Sequence, residues 1–235
     1  MRQAILSKPE EFELREVPVP DVGDEQLLIK VKSVGICGSD IHAYHDKHPF
    51  VHAPIVMGHE VSGEVVATGR LVEKFKLGDR VILRPQKACG TCRPCKEGRY
   101  NVCEQLEVLG CQRTGACSDY YAADAALFTV LPDNITYDQG AMIEPLAVGV
   151  HAVKRGLCDV FGKNILVIGA GTIGNLLAQS AKAMGAARVM ITDVSTYKLE
   201  LASMVGIDYP INVAKTDLKE AIFERFGSDG VDAVY

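Results

Sequence analysis

Four closely spaced cysteines are the first residues whose types and spacing point to chemistry. They follow the pattern C-x2-C-x2-C-x7-C, at Cys89, Cys92, Cys95 and Cys103. Four thiolates at this spacing suit one tetrahedral Zn²⁺, and a closed four-sulfur site of this kind is structural. Iron–sulfur ligation is the alternative, although the spacing lacks the usual ferredoxin pattern. We therefore predict a structural zinc site, rather than disulfides, in this segment.

A second set of potential ligands is dispersed along the chain. It comprises Cys37, His59 and a carboxylate from Glu60 or Glu144. A mixed sulfur, nitrogen and oxygen set suits a catalytic Zn²⁺ that keeps one coordination position open. Such an ion can polarise an alcohol oxygen and lower its pKa, which prepares the alcohol to release hydride. The spacing alone does not bring these residues together, and a buried histidine or cysteine with a structural role is the alternative.

A glycine-rich turn carries a third signal. The apolar strand Asn164–Ile168 leads into a G-x-G-x-x-G motif at residues 169–174, and a predicted helix follows at once. In this strand-to-helix context the motif is typical of a dinucleotide-binding site. Gly169 permits the tight turn, Gly171 lets a pyrophosphate approach the backbone, and Gly174 lets the helix pack close to the strand. An ordinary turn is the alternative interpretation.

An acidic residue follows the glycine motif at an informative distance. Asp193 ends the second predicted strand, 19 residues after Gly174. A carboxylate at this point binds the adenosine ribose hydroxyls and repels a 2′-phosphate, so the sequence favours NAD over NADP. The alternative is that Asp193 merely caps the next helix. Lys198 lies one turn into that helix, where a solvated surface lysine is the simpler interpretation.

Short strands must position most of the potential metal ligands. Between about residues 27 and 130, alternating apolar runs cover residues 27–32, 60–66 and 79–83, separated by Gly, Pro and Asp. Runs of this kind predict an antiparallel barrel or sandwich. Pro18 and Pro20 fall between two early strands, where their missing N–H groups do no harm.

Helices and strands alternate after residue 133. Helical spacing from Tyr137 to Lys154 is interrupted at Pro145, which we expect to kink or divide the helix. The elements that follow are strand Asn164–Ile168, helix 172–184, strand 188–192, helix Thr196–Met204, a weak strand near Ile211, helix 217–226 and a last strand at 231–235. This alternation predicts βαβ units. We therefore predict a β-rich domain followed by an α/β domain with a doubly wound parallel sheet.

The composition fits an ordinary globular protein and excludes several classes. The chain has 235 residues, of which 48% are hydrophobic and 23% charged, with a formal net charge of −5. No apolar run approaches the roughly 20 residues of a membrane-spanning helix. No Lys/Arg block suggests a nucleic acid or an anionic membrane as partner. Charge occurs too early for a secretory signal, so the expected location is the cytoplasm.

Together, these motifs resemble those of the zinc-dependent medium-chain dehydrogenase/reductase superfamily. The matching segments occur in the family's order: Gly-Ile-Cys-Gly-Ser-Asp-Ile-His, Met-Gly-His-Glu, the four-cysteine segment, Ile-Glu-Pro-Leu-Ala-Val-Gly-Val-His-Ala and Gly-Ala-Gly-Thr-Ile-Gly. The sorbitol (polyol) dehydrogenase branch is the most similar, because Glu144 stands where the alcohol dehydrogenase branch has another zinc-binding cysteine. L-threonine dehydrogenases are also similar.

The resemblance implies a fold and a function. The implied domains are a GroES-like zinc-binding catalytic domain at residues 1–145 and the N-terminal part of a Rossmann-type NAD-binding domain at residues 146–235. One catalytic zinc, one structural zinc and NAD are the implied cofactors. The implied reaction moves a hydride to NAD from a secondary alcohol in a polyol, sugar acid or related small molecule. An L-threonine dehydrogenase-like enzyme and a non-catalytic, zinc-stabilised NAD-binding or regulatory protein are the alternatives.

The resemblance also assigns roles around the catalytic metal. Cys37 and His59 are implied ligands of the catalytic zinc. Glu60 is the third ligand or a close exchange partner, and Glu144 approaches the metal directly or through water. Asp40 is implied to hydrogen-bond His59 and fix its tautomer.

Proton transfer and cofactor binding are assigned in the same way. Ser39 and His42 match the family's relay that carries the substrate proton to solvent, which suits a hydroxyl followed by an imidazole. The implied NAD contacts are Gly169, Gly171, Ile173, Gly174, Asp193 and Lys198.

Some residues depart from the family pattern. Cys117 stands where the family has an aromatic residue that can face the substrate pocket, so we make no prediction of substrate size. Cys111 and Cys158 have no assigned role and are expected to be small buried hydrophobic residues. A loop near the expected cleft carries three further histidines, His45, His48 and His52. A solvated loop is the simpler interpretation of these histidines, and contact with phosphate or sugar is the alternative.

The predicted α/β domain stops at its fourth strand, whereas a dinucleotide-binding fold of this type has six. Residues 232–235 end within that strand without a stop signal. We therefore expect the chain to be a fragment of a longer protein. In the family, the part that follows supplies nicotinamide contacts, some substrate contacts and the strand that joins the dimer. The resemblance accordingly implies a homodimer or homotetramer at full length.

Overall fold

Antiparallel strands form most of the first unit of the chain, Met1–Glu144. The computed structural model describes residues 1–156 and 159–235. The strands of this unit are β1 (Arg2–Lys8), β2 (Glu11–Glu16), β3 (Gln26–Gly35), β4 (Glu60–Thr68), β5 (Arg80–Leu83), β6 (Gln86–Lys87), β7 (Glu107–Val108), β8 (Tyr120–Asp124) and β9 (Phe128–Val130). Its helices are α1 (Gly38–Tyr44), α2 (Arg93–Lys96) and α3 (Tyr137–Ala141).

A five-stranded antiparallel sheet, in the order β8-β3-β4-β5-β9, is the centre of this unit. Strands β1 and β2 form a separate hairpin, and β6 pairs with β7. Apolar side chains of the two central strands, among them Leu27, Ile29, Val61 and Val65, are buried in one cluster with Phe128. The pairing of β3 with β4 extends as far as Gly35 and Glu60. The ends of two well-anchored strands therefore lie next to the predicted metal ligands.

Parallel strands and helices form the second unit, Pro145–Tyr235. Helix α4 (Ile143–Gly156) starts at its boundary, and the remaining elements are β10 (Asn164–Ile168), α5 (Thr172–Ala183), β11 (Arg188–Asp193), α6 (Thr196–Met204), β12 (Tyr209–Asn212), α7 (Leu218–Phe226) and β13 (Ala233–Val234). The strand order is β12-β11-β10-β13, with every pair parallel. This is the order of the first four strands of a dinucleotide-binding sheet.

Strand β10 is buried on both faces. Ile165 and Val167 belong to one apolar cluster, and Leu166 belongs to another cluster that includes Phe226 of α7. A strand covered on both faces has apolar side chains at consecutive positions, which explains the Ile-Leu-Val-Ile segment before the glycine turn. None of the described helices is long and apolar enough to cross a membrane.

The predicted division of the helix near Pro145 occurs, but at a different residue. Helix α3 ends with Met142 as its C-cap, and α4 begins at Ile143. Pro145 is the third residue of α4 and is buried. In the first turn of a helix the backbone N–H groups have no intrahelical partner, so proline is tolerated there. The break therefore precedes Pro145 instead of being caused at it.

Candidate metal centres and cofactor turn

Cys37 lies between the end of strand β3 and the start of helix α1. Its backbone N–H donates to Oδ2 of Asp40 at 2.9 Å. Asp40 is the third residue of the helix and is 7% exposed, so its carboxylate caps the helix from a buried position. This contact fixes the backbone that presents the half-buried Cys37 thiol.

His59 directly precedes strand β4, and a neighbouring segment holds the backbone on its N-terminal side. The Ala116 N–H donates to the Gly58 carbonyl at 2.9 Å, and the Cys117 N–H donates to the Met57 carbonyl at 3.0 Å. Gly58 has a φ of +98°, a conformation that residues with side chains rarely adopt. The turn before His59 is thus fixed both by glycine and by these backbone hydrogen bonds.

The structure brings Cys37, His59 and Glu60 together. Their ligand atoms all lie within 4.8 Å of one another, and His59 and Glu60 are only 6% and 5% exposed. In the part of the chain that the structure describes, Nδ1 of His59 is the one buried side-chain nitrogen or oxygen without a hydrogen-bond partner. A half-buried thiol beside a buried imidazole and a buried carboxylate, with one polar atom left unsatisfied, fits Zn²⁺ in donor type and charge.

Asp40 contacts this cluster differently from the prediction. Its Oδ1 lies 3.7 Å from Nδ1 of His59, which is too long for the expected hydrogen bond. The physical reason is that the other carboxylate oxygen is held by the backbone N–H of Cys37. Asp40 therefore holds the backbone of Cys37 by a hydrogen bond and acts on His59 only through its charge.

The members of the cluster shift one another's proton affinities. Burial lowers the pKa of His59, but its hydrogen bond with Cys37 and nearby negative charges, above all that of Asp40, raise it to about 8. The contact with His59 in turn lowers the pKa of the Cys37 thiol. Burial raises the pKa of Glu60. The arrangement thus favours a thiolate beside a cation, a role that a metal ion can fill.

Glu144 lies near the cluster without joining it. It is the second residue of α4 and is half-buried, and burial together with the charge of Glu60 raises its pKa. Among the described residues, the donor atoms within 4.8 Å of one another include that of Glu60 and exclude that of Glu144. The geometry therefore supports Glu60 as the carboxylate donor, with Glu144 as a nearby charge.

Ser39 and His42 occupy successive turns of helix α1. After the contact with His59, hydrogen bonds with Ser39 are the next influence that lowers the pKa of Cys37, so Ser39 lies at the cluster. His42 is exposed to solvent. Residues three apart are neighbours on one helix face. Helix α1 thus leads from the donor cluster of Cys37, His59 and Glu60 to the surface.

The three loop histidines have different partners. Nδ1 of His45 lies 2.7 Å from Glu10, and Nδ1 of His52 lies 3.2 Å from Asp46. Nδ1 of His48 instead accepts the backbone N–H two residues later, at 3.1 Å. Because Nδ1 is an acceptor, the neutral ring of His48 carries its proton on Nε2 and presents it as a donor. The side chains of His45 and His52 already contact carboxylates, which favours the solvated-loop interpretation for these two residues.

Two further thiols near the cluster are not apparent from the sequence. Burial, followed by the negative charges of Asp40 and Cys37, raises the pKa of Cys111 to about 11. Burial and Asp40 raise the pKa of Cys117 to about 11 as well. Both thiols are half-buried and stay protonated at neutral pH. No pattern in the sequence places them here, because the turn between them packs against the segment before His59. Cys158 lies outside the described residues.

The four cysteines of the C-x2-C-x2-C-x7-C segment converge on one point. Sγ of Cys89 lies 4.0 Å from Sγ of Cys95, and Sγ of Cys92 lies 3.9 Å from Sγ of Cys103. Four sulfur atoms bound at 2.3 Å to a tetrahedral ion are about 3.8 Å apart, whereas a disulfide is about 2.05 Å long. This geometry fits one metal ion.

Hydrogen bonds favour the thiolate of one cysteine in this segment, Cys89. The backbone N–H of Cys89 donates to Sγ of Cys103 at 3.2 Å. Hydrogen bonds led by that of Thr91 lower the pKa of Cys89 to about 6, whereas burial raises the pKa of Cys95 to about 12. Four crowded thiols therefore cannot all lose their protons without a cation, and Zn²⁺ supplies that charge.

The glycine turn has the geometry that its motif predicts. Gly169 has a φ of +101°, so only glycine adopts this turn without strain. A Cβ on Gly174 would lie 1.9 Å from the carbonyl oxygen of Gly169, so the first turn of α5 packs directly on the loop. A Cβ on Gly171 would meet nothing within 4 Å, and α5 begins there without a side-chain cap. Ile173 is in the same turn and is partly exposed. The open helix N-terminus suits a phosphate group.

Asp193 supports this turn from the end of the neighbouring strand. Its Oδ2 accepts the backbone N–H of Ala170 at 2.9 Å, and its Oδ1 accepts that of Ser195 at 2.8 Å. These bonds, that of Ser195 first, lower the pKa of Asp193. Nζ of Lys198 lies 3.6 Å from the carboxylate. The helix-cap interpretation accounts for the contact with Ser195 but not for the contact with the glycine loop.

Two family models match the chain in the regions just described. The alcohol dehydrogenase GroES-like domain matches residues 23–133, and the zinc-binding dehydrogenase family matches residues 172–235. Sorbitol dehydrogenase of Bacillus subtilis (strain 168) is 37% identical over 239 residues, covering 100% of this chain and 67% of the relative. This chain belongs to the zinc-dependent medium-chain dehydrogenase superfamily.

Other members of the superfamily show the same extent of similarity. L-threonine 3-dehydrogenase of Escherichia coli (strain K12) is 40% identical over 230 residues, covering 97% of this chain and 67% of the relative. The crystal structure of 2R,3R-butanediol dehydrogenase from Bacillus subtilis superposes with a TM-score of 0.88 at 35% identity, covering 98% of this chain and 68% of that one. The chain thus spans about two thirds of the length of these superfamily members.

The family resemblance and the fold class predicted from the motifs are confirmed. The β-rich unit corresponds to the GroES-like domain, and the parallel sheet corresponds to the Rossmann-type domain. Superfamily members bind zinc and a nicotinamide dinucleotide, and among the solved structures that this chain resembles, one is bound to NADP and another to NADH.

Proposed function

We propose that the protein is an NAD-dependent, zinc-assisted oxidoreductase that removes a hydride from a secondary alcohol in a polyol, sugar acid or related metabolite. The observation that carries this proposal is the cluster of Cys37, His59 and Glu60, whose donor atoms lie within 4.8 Å of one another. Three mixed donors leave a coordination position open for substrate, unlike the four-sulfur site. In this proposal residues 1–145 form the catalytic domain and residues 146–235 the first part of the cofactor domain.

The donor cluster would hold the catalytic metal. Zinc in this position supplies a Lewis acid that polarises an alcohol oxygen and lowers its pKa. Cys37, His59 and Glu60 are the ligands in this proposal, and Glu144 adds negative charge nearby. Asp40 holds the backbone of Cys37 and orients His59 through its charge.

Helix α1 provides the route for the proton. Ser39 lies beside Cys37 and accepts the hydroxyl proton of the substrate while its own hydroxyl proton passes to His42, whose exposed imidazole releases a proton to solvent. A hydroxyl followed by an imidazole suits this transfer because both groups can accept one proton while donating another.

The glycine turn binds the cofactor, which accepts the hydride. Gly169, Gly171 and Gly174 shape the turn, and the N-terminus of α5 faces the pyrophosphate. Asp193 contacts the adenosine ribose and repels a 2′-phosphate, which favours NAD. Ile173, in the first turn of α5, and Lys198, beside the Asp193 carboxylate, are the further cofactor contacts in this proposal. The remaining expectations, a homo-oligomer and a cytoplasmic location, stay predictions.

A second candidate is an L-threonine dehydrogenase-like activity. The 40% identity to the E. coli enzyme over 97% of the chain favours it. Both candidates use the same metal cluster, so they differ only in the groups that bind the rest of the substrate. Cys117 lies near Asp40, at a position where an aromatic residue is usual in the family, and its side chain is smaller than an aromatic ring.

A substrate panel tests the proposal. The full-length, zinc-replete protein is incubated with NAD and a series of polyols, sugar acids and L-threonine, and NADH formation is followed by absorbance. Turnover of a polyol or sugar acid supports the first candidate, and turnover of L-threonine alone supports the second. Retention of zinc and NAD binding without turnover of any secondary alcohol would instead indicate the non-catalytic binding protein.

A further inference from the structure

Gly35 and Glu60 face each other across the two strands that carry the donors of the metal cluster. Strand β3 ends at Gly35, two residues before Cys37, and β4 begins at Glu60, directly after His59. Gly35 and Glu60 are paired in the antiparallel ladder. The separation of these strand ends therefore sets the distance between Cys37 and the other two donors.

The two strands approach unusually closely at this pair. A Cβ on Gly35 would lie 2.9 Å from Cβ of Glu60, whereas residues directly opposite in a sheet usually have Cβ atoms roughly 4.5–5.5 Å apart. It would also lie 2.0 Å from Oε2 and 3.1 Å from Cδ of Glu60. The buried Glu60 side chain thus lies over Gly35, in the volume that any side chain there would occupy.

Backbone conformation does not explain the glycine. Gly35 is absent from the residues with positive φ in the described part of the chain. Other residues can adopt its backbone angles, so what glycine supplies at this position is clearance. A rotation of the Glu60 carboxylate would relieve the contact with Oε2 but not the contact with Cβ. An alanine would therefore move both the carboxylate and the strand ends.

We propose that Gly35 is a positioning residue of the metal centre. Its missing side chain lets Glu60 fold over the end of β3 and holds Cys37 and His59 close enough to share one ion. The inference rests on the proposed function only in that it requires the three-donor metal site. In this inference Gly35 influences the zinc affinity of the site without contributing a ligand atom.

The direct test is Gly35→Ala, with bound zinc as the readout. Zinc is removed by graded dialysis against a chelator and counted by mass spectrometry, and the affinity of the weaker site is measured by competition with the chelator. We expect the affinity of the three-donor site to fall by about tenfold or more, the range seen when supporting residues of a metal site are changed. The four-cysteine site should keep its zinc and report that the variant is folded.

Gly63→Ala is the matched control in the same pair of strands. A Cβ on Gly63 would lie 2.6 Å from the backbone oxygen of Lys30, so this variant also introduces a clash between β3 and β4. No donor of the cluster takes part in that clash. We expect Gly63→Ala to lower the unfolding temperature and to leave the affinity for the second zinc unchanged. Cobalt absorption of the loaded three-donor site should change in Gly35→Ala and stay unchanged in Gly63→Ala.

A double-mutant cycle identifies the cause of any loss. Glu60→Gly removes all three atoms that crowd Gly35, and because it also removes a ligand, the cycle is followed by the unfolding temperature with the four-cysteine site loaded: adding Gly35→Ala to that variant should cost no further stability. Two results would show that Gly35→Ala does not act through Glu60: an equal loss of stability in the wild type and in Glu60→Gly, or a wild-type zinc affinity and cobalt spectrum in Gly35→Ala. Either result would overturn the inference while leaving the metal site intact. If Gly35→Ala alone does not fold, recovery of folded protein in the double variant supports the inference, and failure to recover it overturns it. A wild-type protein that binds only one zinc would refute the three-donor site itself.

Discussion

Replacing Asp193 with asparagine separates the two tasks that we assign to this carboxylate. Its oxygens accept the backbone N–H groups of Ala170 and Ser195 at 2.9 and 2.8 Å, so its position is tightly held. Asparagine keeps the size of the side chain and removes the charge. It has only one oxygen, so one of the two N–H groups loses its acceptor.

The two effects have different magnitudes. Two like charges about 4 Å apart near a protein surface repel by about 4 kcal/mol, and partial exposure to solvent and salt reduces this repulsion. The Asp193 side chain is only 10% exposed, so we expect about 1.4–3 kcal/mol of the repulsion of a 2′-phosphate to remain. Each 1.4 kcal/mol is tenfold. Asp193→Asn should therefore raise the affinity for NADP relative to NAD roughly 10- to 100-fold. The lost backbone hydrogen bond should lower stability by about 1–3 kcal/mol.

Asp208→Asn is the matched control. Asp208 accepts the backbone N–H of Val189 at 2.8 Å and pairs with Lys182, just as Asp193 accepts backbone N–H groups and lies beside Lys198. It is located at the opposite end of strand β11, because Val189 is near the start of the strand and Asp193 ends it. Asp208→Asn should affect stability without changing the preference between the two cofactors.

Binding of NAD and NADP is measured by calorimetry on the wild type and both variants, with thermal unfolding alongside. The contact assigned between Asp193 and the ribose is wrong if Asp193→Asn leaves the ratio of the two affinities as it is in the wild type. It is also wrong if Asp208→Asn shifts that ratio equally, since the effect would then come from net charge and not from a contact with the ribose.

Three further predictions concern the two metal sites and the pH dependence of the contribution of Asp193. Cys37→Ala should abolish NAD reduction while calorimetry still shows NAD binding; an unaltered rate would remove Cys37 from the mechanism. Cys92→Ser should lower the unfolding temperature and reduce bound zinc by about one equivalent, because a structural metal contributes directly to folding; full zinc content would refute the four-cysteine site. The pKa of Asp193 is lowered by its backbone hydrogen bonds, so its contribution is present above pH 3.8 and is lost as the pH falls through the folded-state pKa. The difference in stability between wild type and Asp193→Asn should accordingly shrink below about pH 4, and a constant difference would contradict this.

Local signals in the sequence predict the elements that carry the sites well. The strand Asn164–Ile168 and the helix Thr196–Met204 have the predicted bounds, because apolar runs and periodic spacing are properties of a few neighbouring residues. The predicted position of the helix break is wrong by contrast: the sequence predicts it at Pro145, whereas α4 begins at Ile143. Proline restricts the chain strongly within a helix but is tolerated in its first turn, and the sequence alone does not say which turn Pro145 occupies.

The assembly of the metal centre depends on contacts that no local pattern encodes. The C-x2-C-x2-C-x7-C spacing is sufficient to predict one compact site, since all four donors lie in one short segment. Cys37 and His59 meet only because β3 and β4 pair, and that pairing follows from the whole sheet. The close approach of Glu60 to Gly35 and the hydrogen bond between Asp193 and Ala170 also could not be predicted from local patterns. Each involves two residues that are distant in sequence.

The two metal sites differ in how far the chain alone can satisfy their charges. In the three-donor cluster the imidazole of His59, whose pKa is raised to about 8, can carry a proton beside the Cys37 thiolate, so the cluster contains its own counter-charge. The four-cysteine segment has crowded sulfur atoms and, among its four donors, no cationic group. Loss of the ion therefore leaves the first cluster as an ion pair held by strand ends, but leaves the second without the charge that draws its sulfurs together. In the proposed function, this difference would account for a structural role of the second site and an exchangeable, reactive role of the first.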